Sequence, residues 1–461
     1  RVGRLSRGLR DAVPFFVASE VAAVCRRSEI VANNPLFLVE KKPDSDGNMW
    51  WRLVQDCRPV NVQMSKPAKA PLPPFQEVID KLMAHEFAWQ TDGVRYFAQF
   101  PYHPEIAKTF GCVVGERRGE LITLMCQSMS MGWSFAPLVA ATLSAAVVDG
   151  LGLQWIDNLI TFGHTREECA DRSEELLRRC REINLAVDDY DVAPATTINA
   201  IGVEFDLAAK RYRLDAAFIA SLSDVKTVMS PREFYQLAGQ MVWWSTVRRV
   251  KLCEFAEVIH EMSTIATAVA GDVSKWDVPR SVGQEAVAML TEWLVEARRN
   301  EWVQHKEVPA AERVVWTDAS DNYGAYLVFK DDDLETGASW LFENPEATAI
   351  FHKELASLAA AIAECKRRGV RTIRAMVDNM PVVLAVKRGL SSSLAANRVL
   401  REMLRDFTCH IDWCCSADEL ADSFTRGEKI DFVSLKTVQD VQEFHEQWKQ
   451  NQKKTRKPKH F

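Results

Sequence analysis

Aspartates stand at the ends of several short apolar segments that have the length and composition of β-strands. Two of these segments end at Asp92 and Asp157, and two more, in the last third of the chain, end at Asp318 and Asp378. Carboxylates at neighbouring strand ends can share divalent cations, although a single aspartate at a strand end more often caps a turn. The pattern favours folds whose sheets carry acidic side chains at their edges, and it predicts two separate acidic sites.

Clusters of proline, glycine and polar residues divide the chain into units. At about 150 residues per domain, 461 residues correspond to roughly three globular units. Mixed strand and helix patterns come first, Trp-rich helical patterns follow, and alternating β and α patterns begin near Arg313. We therefore predict an α+β and α/β multidomain protein. Its predicted parts are an N-terminal extension (1–34), a mixed domain (35–215), a helical region (216–310), an α/β domain (311–430) and a C-terminal helix with a basic tail (431–461).

Composition and charge exclude several classes of protein. With 47% hydrophobic and 26% charged residues, the chain is neither disordered nor collagen-like. The net charge of −6 argues against a uniformly basic nucleic-acid coat but is compatible with a basic groove. Eleven cysteines without a Cys-x-x-Cys pair argue against a structural zinc site and indicate a reducing, intracellular compartment, either cytoplasm or nucleus.

The chain contains no segment that predicts secretion or membrane insertion. No apolar signal core follows its basic start, and the longest apolar stretch, 135–153, is interrupted by proline, aspartate and glycine. We therefore expect a buried helix there and no membrane partner. Because the chain begins with Arg1 rather than Met, we expect a segment excised from a longer polyprotein.

Six motifs surround the first acidic pair and follow one another along the chain. They are Lys41-Lys42 with Arg52–Asn61, Leu72–Phe75, Asp92–Glu105, Gly132–Pro137, Trp155–Asn158 and Ile201–Phe205. In this order they resemble the fingers and palm motifs of reverse transcriptases. The resemblance implies a right-hand polymerase, with fingers and palm in residues 35–215 and thumb and connection in residues 216–310.

The resemblance also implies a role for individual residues. Asp92 and Asp157 would bind Mg²⁺, or Mn²⁺ in its place, and Phe97 would exclude a 2′-hydroxyl. The cationic side chains would bind phosphate oxygens, and the implied partners are an RNA template, a DNA primer and deoxynucleoside triphosphates. The implied nucleotide-binding residues are Lys41, Lys42, Arg52, Phe97, Gln99 and Gly132.

The second acidic group comprises Asp318, Glu354, Asp378 and Asp422. Glu354 lies on the apolar face of a helix predicted over 347–368, where a buried carboxylate is costly without a cation or another partner. The alternative is that Glu354 is exposed and the aspartates cap turns. The surrounding motifs are Thr317–Ser320, Gly324-Ala325, Glu354-Leu355, Asp378-Asn379 and Ala421-Asp422 with Thr425-Arg426. They resemble the ribonuclease H domain, which implies that the four carboxylates bind two magnesium ions for cleavage of RNA in an RNA–DNA hybrid.

Asn158 departs from the polymerase pattern, because a neutral amide stands where the family has a second aspartate. An amide oxygen can bind magnesium but adds no charge, so we expect weaker metal binding and slower polymerisation, with Asn158 still in the catalytic set. Three interpretations stay open: a slow polymerase, a domesticated binding or scaffold protein that kept the fold, and an active ribonuclease H joined to an inactive polymerase.

One helical segment is a candidate for direct contact with nucleic acid. Trp243 and Trp244 are adjacent on a predicted helix, so we expect one to be exposed for stacking and the other to be buried. Arg248 and Arg249 are candidate phosphate contacts, with an ordinary solvated face as the alternative.

Taken together, the motifs resemble the reverse transcriptase–ribonuclease H of retroelements, most closely the DIRS type, followed by gypsy-type elements and plant pararetroviruses. The resemblance implies an RNA-directed DNA polymerase that also cleaves RNA in hybrids. The alternative is a protein that does not polymerise and serves in nucleic-acid binding or as a scaffold, with or without ribonuclease H activity. The sequence contains no signal for an oligomeric state.

Overall fold

The computed structural model describes residues 17–18, 21–40, 51–117, 120–426, 432 and 434–455. The chain divides into two compact units. The first comprises residues 1–215 and 302–305, and the second comprises residues 216–301 and 306–461. The predicted basic tail from residue 456 onward lies outside the described residues.

Strands run through both units. In chain order, the strands of the described residues are β1 (Ala22–Cys25), β2 (Leu36–Glu40), β3 (Trp51–Gln55), β4 (Phe87–Asp92), β5 (Gly111–Arg117), β6 (Glu120–Cys126), β7 (Gly152–Trp155), β8 (Asn158–Gly163), β9 (Thr197–Ala200), β10 (Val203–Asp206), β11 (Arg211–Leu214), β12 (Val228–Met229), β13 (Arg280–Ser281), β14 (Val303–Gln304), β15 (Arg313–Ala319), β16 (Tyr323–Lys330), β17 (Asp333–Leu341), β18 (Thr372–Val377) and β19 (Thr408–Trp413).

The helices alternate with these strands. The α-helices whose full extent lies within the described residues are α1 (Arg58–Asn61), α2 (Phe75–Met83), α3 (Pro104–Ala107), α4 (Ala136–Val148), α5 (Arg166–Glu182), α6 (Ala216–Ala220), α7 (Pro231–Arg248), α8 (Ala256–Val269), α9 (Gln284–Arg299), α10 (Ile350–Arg367), α11 (Met380–Arg388), α12 (Leu394–Leu404) and α13 (Val438–Thr455). Short 3₁₀ helices span Arg27–Glu29, Tyr96–Gln99, Lys108–Phe110, Leu252–Phe255, Val273–Asp277 and Asp422–Phe424.

The first acidic pair lies on an antiparallel sheet with the strand order β4-β8-β7. Helices α4 and α5 pack on this sheet, and Trp89, Leu159 and Leu176 belong to the core between them. The side chain of Thr165 caps the start of α5 by accepting a hydrogen bond of 3.1 Å from the amide of Glu168. The sheet therefore has a packed layer behind it, which holds its strand ends in place.

Further sheets complete the first unit. Strands β2 and β3 pair in antiparallel fashion, with Leu36 opposite Gln55. Strands β1, β6 and β5 form a second antiparallel sheet, and β14, β11, β10 and β9 form a third. Residues 303–304 join this last sheet although they follow the helices of the second unit in the chain.

The second unit contains a five-stranded mixed sheet with the order β17-β16-β15-β18-β19. Strands β17, β16 and β15 are antiparallel, whereas β15, β18 and β19 are parallel. Parallel neighbours need crossover connections, and here α10 leads to β18 while α11 and α12 lead to β19. The predicted alternation of β and α elements is confirmed. Helix α10 begins at Ile350 rather than at 347, because a turn stabilised by a hydrogen bond from the Thr348 hydroxyl to the Asn344 carbonyl precedes it.

Helices α7, α8 and α9 pack on one another in the same unit. Helix α7 begins with a capping box in which Ser230 and Glu233 each bind the main chain of the other. Trp244 in α7 and Trp293 in α9 are both buried. No described helix of the chain combines the length and the apolar character that crossing a bilayer requires.

Candidate active sites

The first acidic site lies at one end of the β4-β8-β7 sheet. Asp92 is the last residue of β4 and is paired with Asn158, the first residue of β8. Asp157 lies in the two-residue turn between β7 and β8, and its carbonyl oxygen accepts a hydrogen bond of 3.0 Å from the amide of Gly93. The fold thus brings the three predicted residues Asp92, Asp157 and Asn158 to one sheet edge.

The turn that carries Asp157 is strained. Ile156 has a φ angle of 60°, a left-handed conformation that a β-branched residue adopts only at a cost in energy. Its amide donates to Oε1 of Gln154 at 2.9 Å, and its carbonyl oxygen accepts a hydrogen bond from the hydroxyl of Ser144. The surrounding side chains therefore hold the turn in one conformation and fix the position of Asp157.

A third carboxylate, which the sequence did not lead us to expect, lies beside Asp92. Oδ1 of Asp188 accepts hydrogen bonds from the amide of Asp92 at 2.8 Å and from the hydroxyl of Thr91 at 3.1 Å. Desolvation, followed by the charges of Asp188 and Asp157, raises the pKa of Asp92 to about 6, although the residue is exposed to solvent. The acidic run Asp188-Asp189-Tyr190-Asp191 is visible in the sequence, but its position beside Asp92 is not, because the two segments are distant in the chain.

The predicted nucleotide-binding residues are described only in part. Lys41 and Lys42 lie outside the described residues, and Arg52 lies in β3 with a side chain that is also outside them. Phe97 lies in the 3₁₀ helix Tyr96–Gln99 and is half-buried against the core behind the sheet. The proposed contacts of these residues with a nucleotide therefore stay predictions.

Gln99 and Gly132 have structural roles within the first unit. The Gln99 amide nitrogen donates to the carbonyl oxygens of Val94 and Ala186 at 2.7 and 2.8 Å, and its Oε1 accepts a hydrogen bond of 2.7 Å from the Ala186 amide. A Cβ at Gly132 would lie 2.9 Å from the carbonyl oxygen of Gln55, so the close main-chain approach requires glycine. Any contact of Gln99 with a nucleotide would have to compete with these hydrogen bonds.

The second acidic site is a group of three carboxylates in the second unit. Asp318 lies in β15, Glu354 lies in α10, and Asp378 directly follows β18. One possible ligand atom from each residue lies within 4.8 Å of the other two. Asp318 and Glu354 are buried, whereas Asp378 is half-buried. The structure thus brings together three of the four carboxylates predicted for this site.

Small residues allow α10 to approach the sheet at this point. A Cβ at Gly324, in β16, would lie 2.7 Å from the hydroxyl oxygen of Ser357 and 2.6 Å from the ring of Trp340. Glu354 is on the same face of α10 as Ser357, about one turn earlier. The absence of a side chain at Gly324 therefore lets the helix carry Glu354 toward Asp318.

Burial and mutual repulsion make the second site suited to a cation. Oε2 of Glu354 is buried and has no hydrogen-bond partner among the described residues. Burial, with the charges of Asp318 and Asp378, raises the pKa of Glu354 to about 9. Burial and the charges of Asp422 and Asp378 raise the pKa of Asp318 to about 6, against the lowering effect of the Thr425 hydroxyl at 2.7 Å. A divalent cation would bind the unpaired oxygen of Glu354 and offset the repulsion between the carboxylates. The donor set therefore fits Mg²⁺ or Mn²⁺.

The fourth predicted carboxylate, Asp422, is not part of this group of three. It begins a 3₁₀ helix and forms an ion pair with the guanidinium of Arg426. Glu419, three residues earlier, is completely buried, and its charge contributes to the raised pKa of Glu354. Glu419 follows no periodic pattern in the sequence because it lies in a loop after β19, so only the folded structure reveals it.

The residues of α7 that are predicted to contact nucleic acid bind or pack against other residues of the second unit. Trp244 is buried and Trp243 is half-buried, which corrects the expectation of one exposed tryptophan. The guanidinium of Arg248 lies over the ring of Trp244 and donates to the carbonyl oxygen of Glu301 at 2.7 Å. Arg249 ends the helix in a left-handed conformation and donates to a main-chain carbonyl at 3.4 Å. Contacts of these residues with phosphates stay predictions.

Comparison with known proteins gives structural similarity alone. No family model matches the sequence, and no curated protein matches it. The chain is similar to structures of a foamy viral protease-reverse transcriptase, at 14% identity in each case. The dRH form in complex with double-stranded DNA has a TM-score of 0.48, and the match covers 89% of this chain and 70% of that one. The enzyme in complex with double-stranded DNA has a TM-score of 0.46, with coverages of 90% and 83%. The enzyme in complex with an RNA/DNA hybrid has a TM-score of 0.49, with coverages of 92% and 55%. Because these TM-scores are below 0.5, the functional assignment must depend on the residues themselves.

Proposed function

We propose that the chain is a reverse transcriptase with a ribonuclease H unit, and that the second unit cleaves RNA in RNA–DNA hybrids. The observation that supports this proposal best is the convergence of Asp318, Glu354 and Asp378 within 4.8 Å, where helix α10 packs on a sheet of mixed strand direction. The buried, unpaired Oε2 of Glu354 supports it further, because a cation would supply the missing partner. The surrounding sequence motifs are those that resemble ribonuclease H.

The chain's own side chains define what this site can do. Asp318, Glu354 and Asp378 would hold the divalent ions, and Asp422 stands close enough to influence the charge on Asp318. A bound divalent ion supplies a nucleophilic water at neutral pH and offsets the charge that develops on a phosphate. Burial of Asp318 and Glu354 keeps bulk water away from two of the ligands, which strengthens their attraction for a bound cation.

Cleavage of a labelled RNA–DNA hybrid tests this function. We expect Asp378→Asn to abolish magnesium-dependent cleavage while leaving hybrid binding unchanged, because the substitution removes one ligand charge at a half-buried position. Asp412→Asn is the matched control, since Asp412 is partly exposed in β19 and pairs with Arg374 at 2.8 Å. Undiminished cleavage by Asp378→Asn, or equal loss in both variants, would contradict the assignment.

The first unit is proposed to be a polymerase weakened by Asn158. Asp92 and Asp157 would hold the cations for nucleotidyl transfer onto a DNA primer along an RNA template, with deoxynucleoside triphosphates as substrates. The strained turn at Ile156 supports a functional site at this edge of the sheet. Strain of this kind persists where a site needs a side chain, here that of Asp157, in a fixed position. Assignment to DIRS-type retroelements stays a prediction from the motifs.

One specific observation favours a second candidate function. Asn158 removes a carboxylate from the first site, whereas the second site has its three converging carboxylates. In the second candidate, the first unit binds a nucleic-acid duplex without extending it and the second unit cleaves. Primer extension with Mn²⁺ separates the two: any extension that disappears in Asp92→Asn excludes the second candidate.

A further inference from the structure

Glu419 has an unusual environment for a glutamate. Its side chain is completely buried, with an exposed fraction of 0%. Oε2 accepts a hydrogen bond from the thiol of Cys414 at 2.7 Å, and Oε1 accepts one from the amide of Ala421 at 3.2 Å. Both carboxyl oxygens therefore bind the loop to which Glu419 itself belongs.

This loop joins two segments that carry acidic residues of the second site. At its start, the amide of Cys414 donates to the last carbonyl oxygen of β18 at 3.1 Å, and the hydroxyl of Ser416 donates to Oδ2 of Asp378 at 2.5 Å. At its end, the amide of Asp422 donates to the carbonyl oxygen of Glu419 at 3.2 Å. The Glu419 side chain thus connects the beginning of the loop, next to Asp378, with its end at Asp422.

Packing alone does not account for a carboxyl group at this position. The adjacent residues Leu420 and Ala421 are buried and apolar, and a leucine at position 419 would fill a similar volume without taking a carboxyl out of water. Burial, with the charges of Asp318 and Asp378, raises the pKa of Glu419 well above its usual range. The hydrogen bonds from Cys414 and Ala421 are the partners that a carboxyl group at this position has in place of water.

We propose that Glu419 is a positioning residue of the second acidic site, which acts through Cys414 and Ala421 to hold Asp378 where its carboxylate can share a divalent cation with Asp318 and Glu354, and to hold Asp422 beside that group. Without such a connection, repulsion among the carboxylates would move the two loop-borne aspartates apart, since neither lies inside a strand or an α-helix. The proposal rests on the proposed ribonuclease H function in so far as that function needs a cation at this site.

Three variants of the full-length chain test the proposal. Glu419→Leu fills the volume but removes both hydrogen bonds, whereas Glu419→Gln keeps the length of the side chain and an oxygen for the Ala421 amide. Asp418→Ala is the matched control, because Asp418 is the adjacent acidic residue in the same loop and is exposed. If the leucine variant does not fold, Cys414→Ala and Cys414→Ser replace it, since serine restores the donor that alanine removes.

Two measurements are made on each variant: the affinity for Mn²⁺ by calorimetry, and kcat and KM for cleavage of a labelled hybrid. For Glu419→Leu we expect roughly tenfold weaker Mn²⁺ binding and a similar loss in kcat, as for other residues that orient metal ligands. We expect KM for the hybrid and the melting temperature of the metal-free protein to stay close to wild type or to rise. Glu419→Gln should recover most of both losses, and Asp418→Ala should show neither.

Three results would overturn the positioning role. The first is a folded Glu419→Leu protein with wild-type Mn²⁺ affinity, and the second is a Glu419→Gln protein as impaired as the leucine variant. The third is a loss of kcat that follows a lowered melting temperature and disappears on cooling, which a purely structural role would produce. If the wild-type chain cleaves no hybrid, the proposed function fails, while the Mn²⁺ affinities still decide the role of Glu419.

Discussion

Asp92 and Asn158 stand directly opposite each other in the antiparallel pair β4 and β8. Residues paired in this way project from the same face of a sheet, so a carboxylate at one strand end has a neutral amide as its neighbour. The pKa of Asp92 is raised first by desolvation and then by the negative charges of Asp188 and Asp157. An aspartate at position 158 would add a further negative charge to this strand end.

Asn158→Asp should strengthen the first site as a polymerase. The added carboxylate gives the cations a charged ligand in place of a neutral one, so we expect primer extension on an RNA template to rise roughly tenfold, which corresponds to about 1.4 kcal/mol in the barrier. It should also raise the pKa of Asp92 further in the metal-free protein, because like charges disfavour ionisation. Primer extension in Mg²⁺ and in Mn²⁺ measures the first effect.

Two further variants complete this experiment. Asp92→Asn should remove all extension, and Asp171→Asn, which changes an exposed aspartate of α5 in the same unit, should leave it unchanged. No extension by any variant with either metal would contradict polymerase activity. A rate unaffected by Asn158→Asp would contradict the view that the missing charge at this position limits the reaction.

Gln99→Ala should loosen the segment that holds Asp188 beside Asp92. The carboxamide of Gln99 makes three hydrogen bonds to the main chain of Val94 and Ala186, and their loss should cost roughly 2 kcal/mol in local stability. Amide hydrogen exchange in residues 186–188 should therefore become about 30-fold faster. Gln63→Ala, at an exposed glutamine of the same unit, is the control. Unchanged exchange in Gln99→Ala would show that this side chain does not stabilise the segment.

The elements that carry the sites could be predicted from the sequence, because their patterns are periodic. Asp92 and Asp378 follow apolar strands, and Glu354 lies on the apolar face of a helix, so each could be placed on an element before the fold was known. The convergence of Asp318, Glu354 and Asp378 then follows from the order of parallel strands and the crossover helix.

The residues that the sequence did not reveal lie in loops. Asp188 approaches Asp92 through a main-chain pairing of two segments distant in sequence, and Glu419 is buried in a loop that has no repeating pattern. Asp422 was placed in the second site by motif, yet its carboxylate pairs with Arg426, because an ion pair four residues away is available locally. Tertiary contacts of this kind carry no periodic signal, so only the folded chain shows them.

Glu354→Gln should stabilise the metal-free protein in a pH-dependent way. The folded-state pKa of about 9 lies above the ordinary value of 4.5, so the neutral form stabilises the fold, and this contribution is lost as pH rises from about 4.5 through about 9. Glutamine stays neutral, so the melting temperature of the Glu354→Gln protein should match that of wild type near pH 4 and exceed it near pH 8. The difference in unfolding free energy near pH 8 should be on the order of 2 kcal/mol.

Thermal unfolding with a chelator present, from about pH 4 to about pH 8, measures this effect. Glu364→Gln is the control, because the pKa of Glu364 is lowered by Arg367 and Arg368, and removing its charge should destabilise the protein at neutral pH instead. A Glu354→Gln protein that is less stable than wild type at about pH 8 would show that the buried carboxylate is stabilised by partners rather than left without them.

Divalent cations should raise the melting temperature of the second unit. A ligand that binds only the folded state stabilises it by about 2.7 kcal/mol at a hundredfold excess over its dissociation constant, which in a unit of this size corresponds to roughly 5 °C. Asp318→Asn removes a buried ligand charge, so the rise on adding Mg²⁺ or Mn²⁺ should largely disappear, and chelation should reverse the rise in wild type. Asp412→Asn should keep the full effect, because Asp412 lies outside the group of three carboxylates. An equal rise in Asp318→Asn and wild type would locate the bound cation elsewhere and would remove the main support for a metal-dependent nuclease.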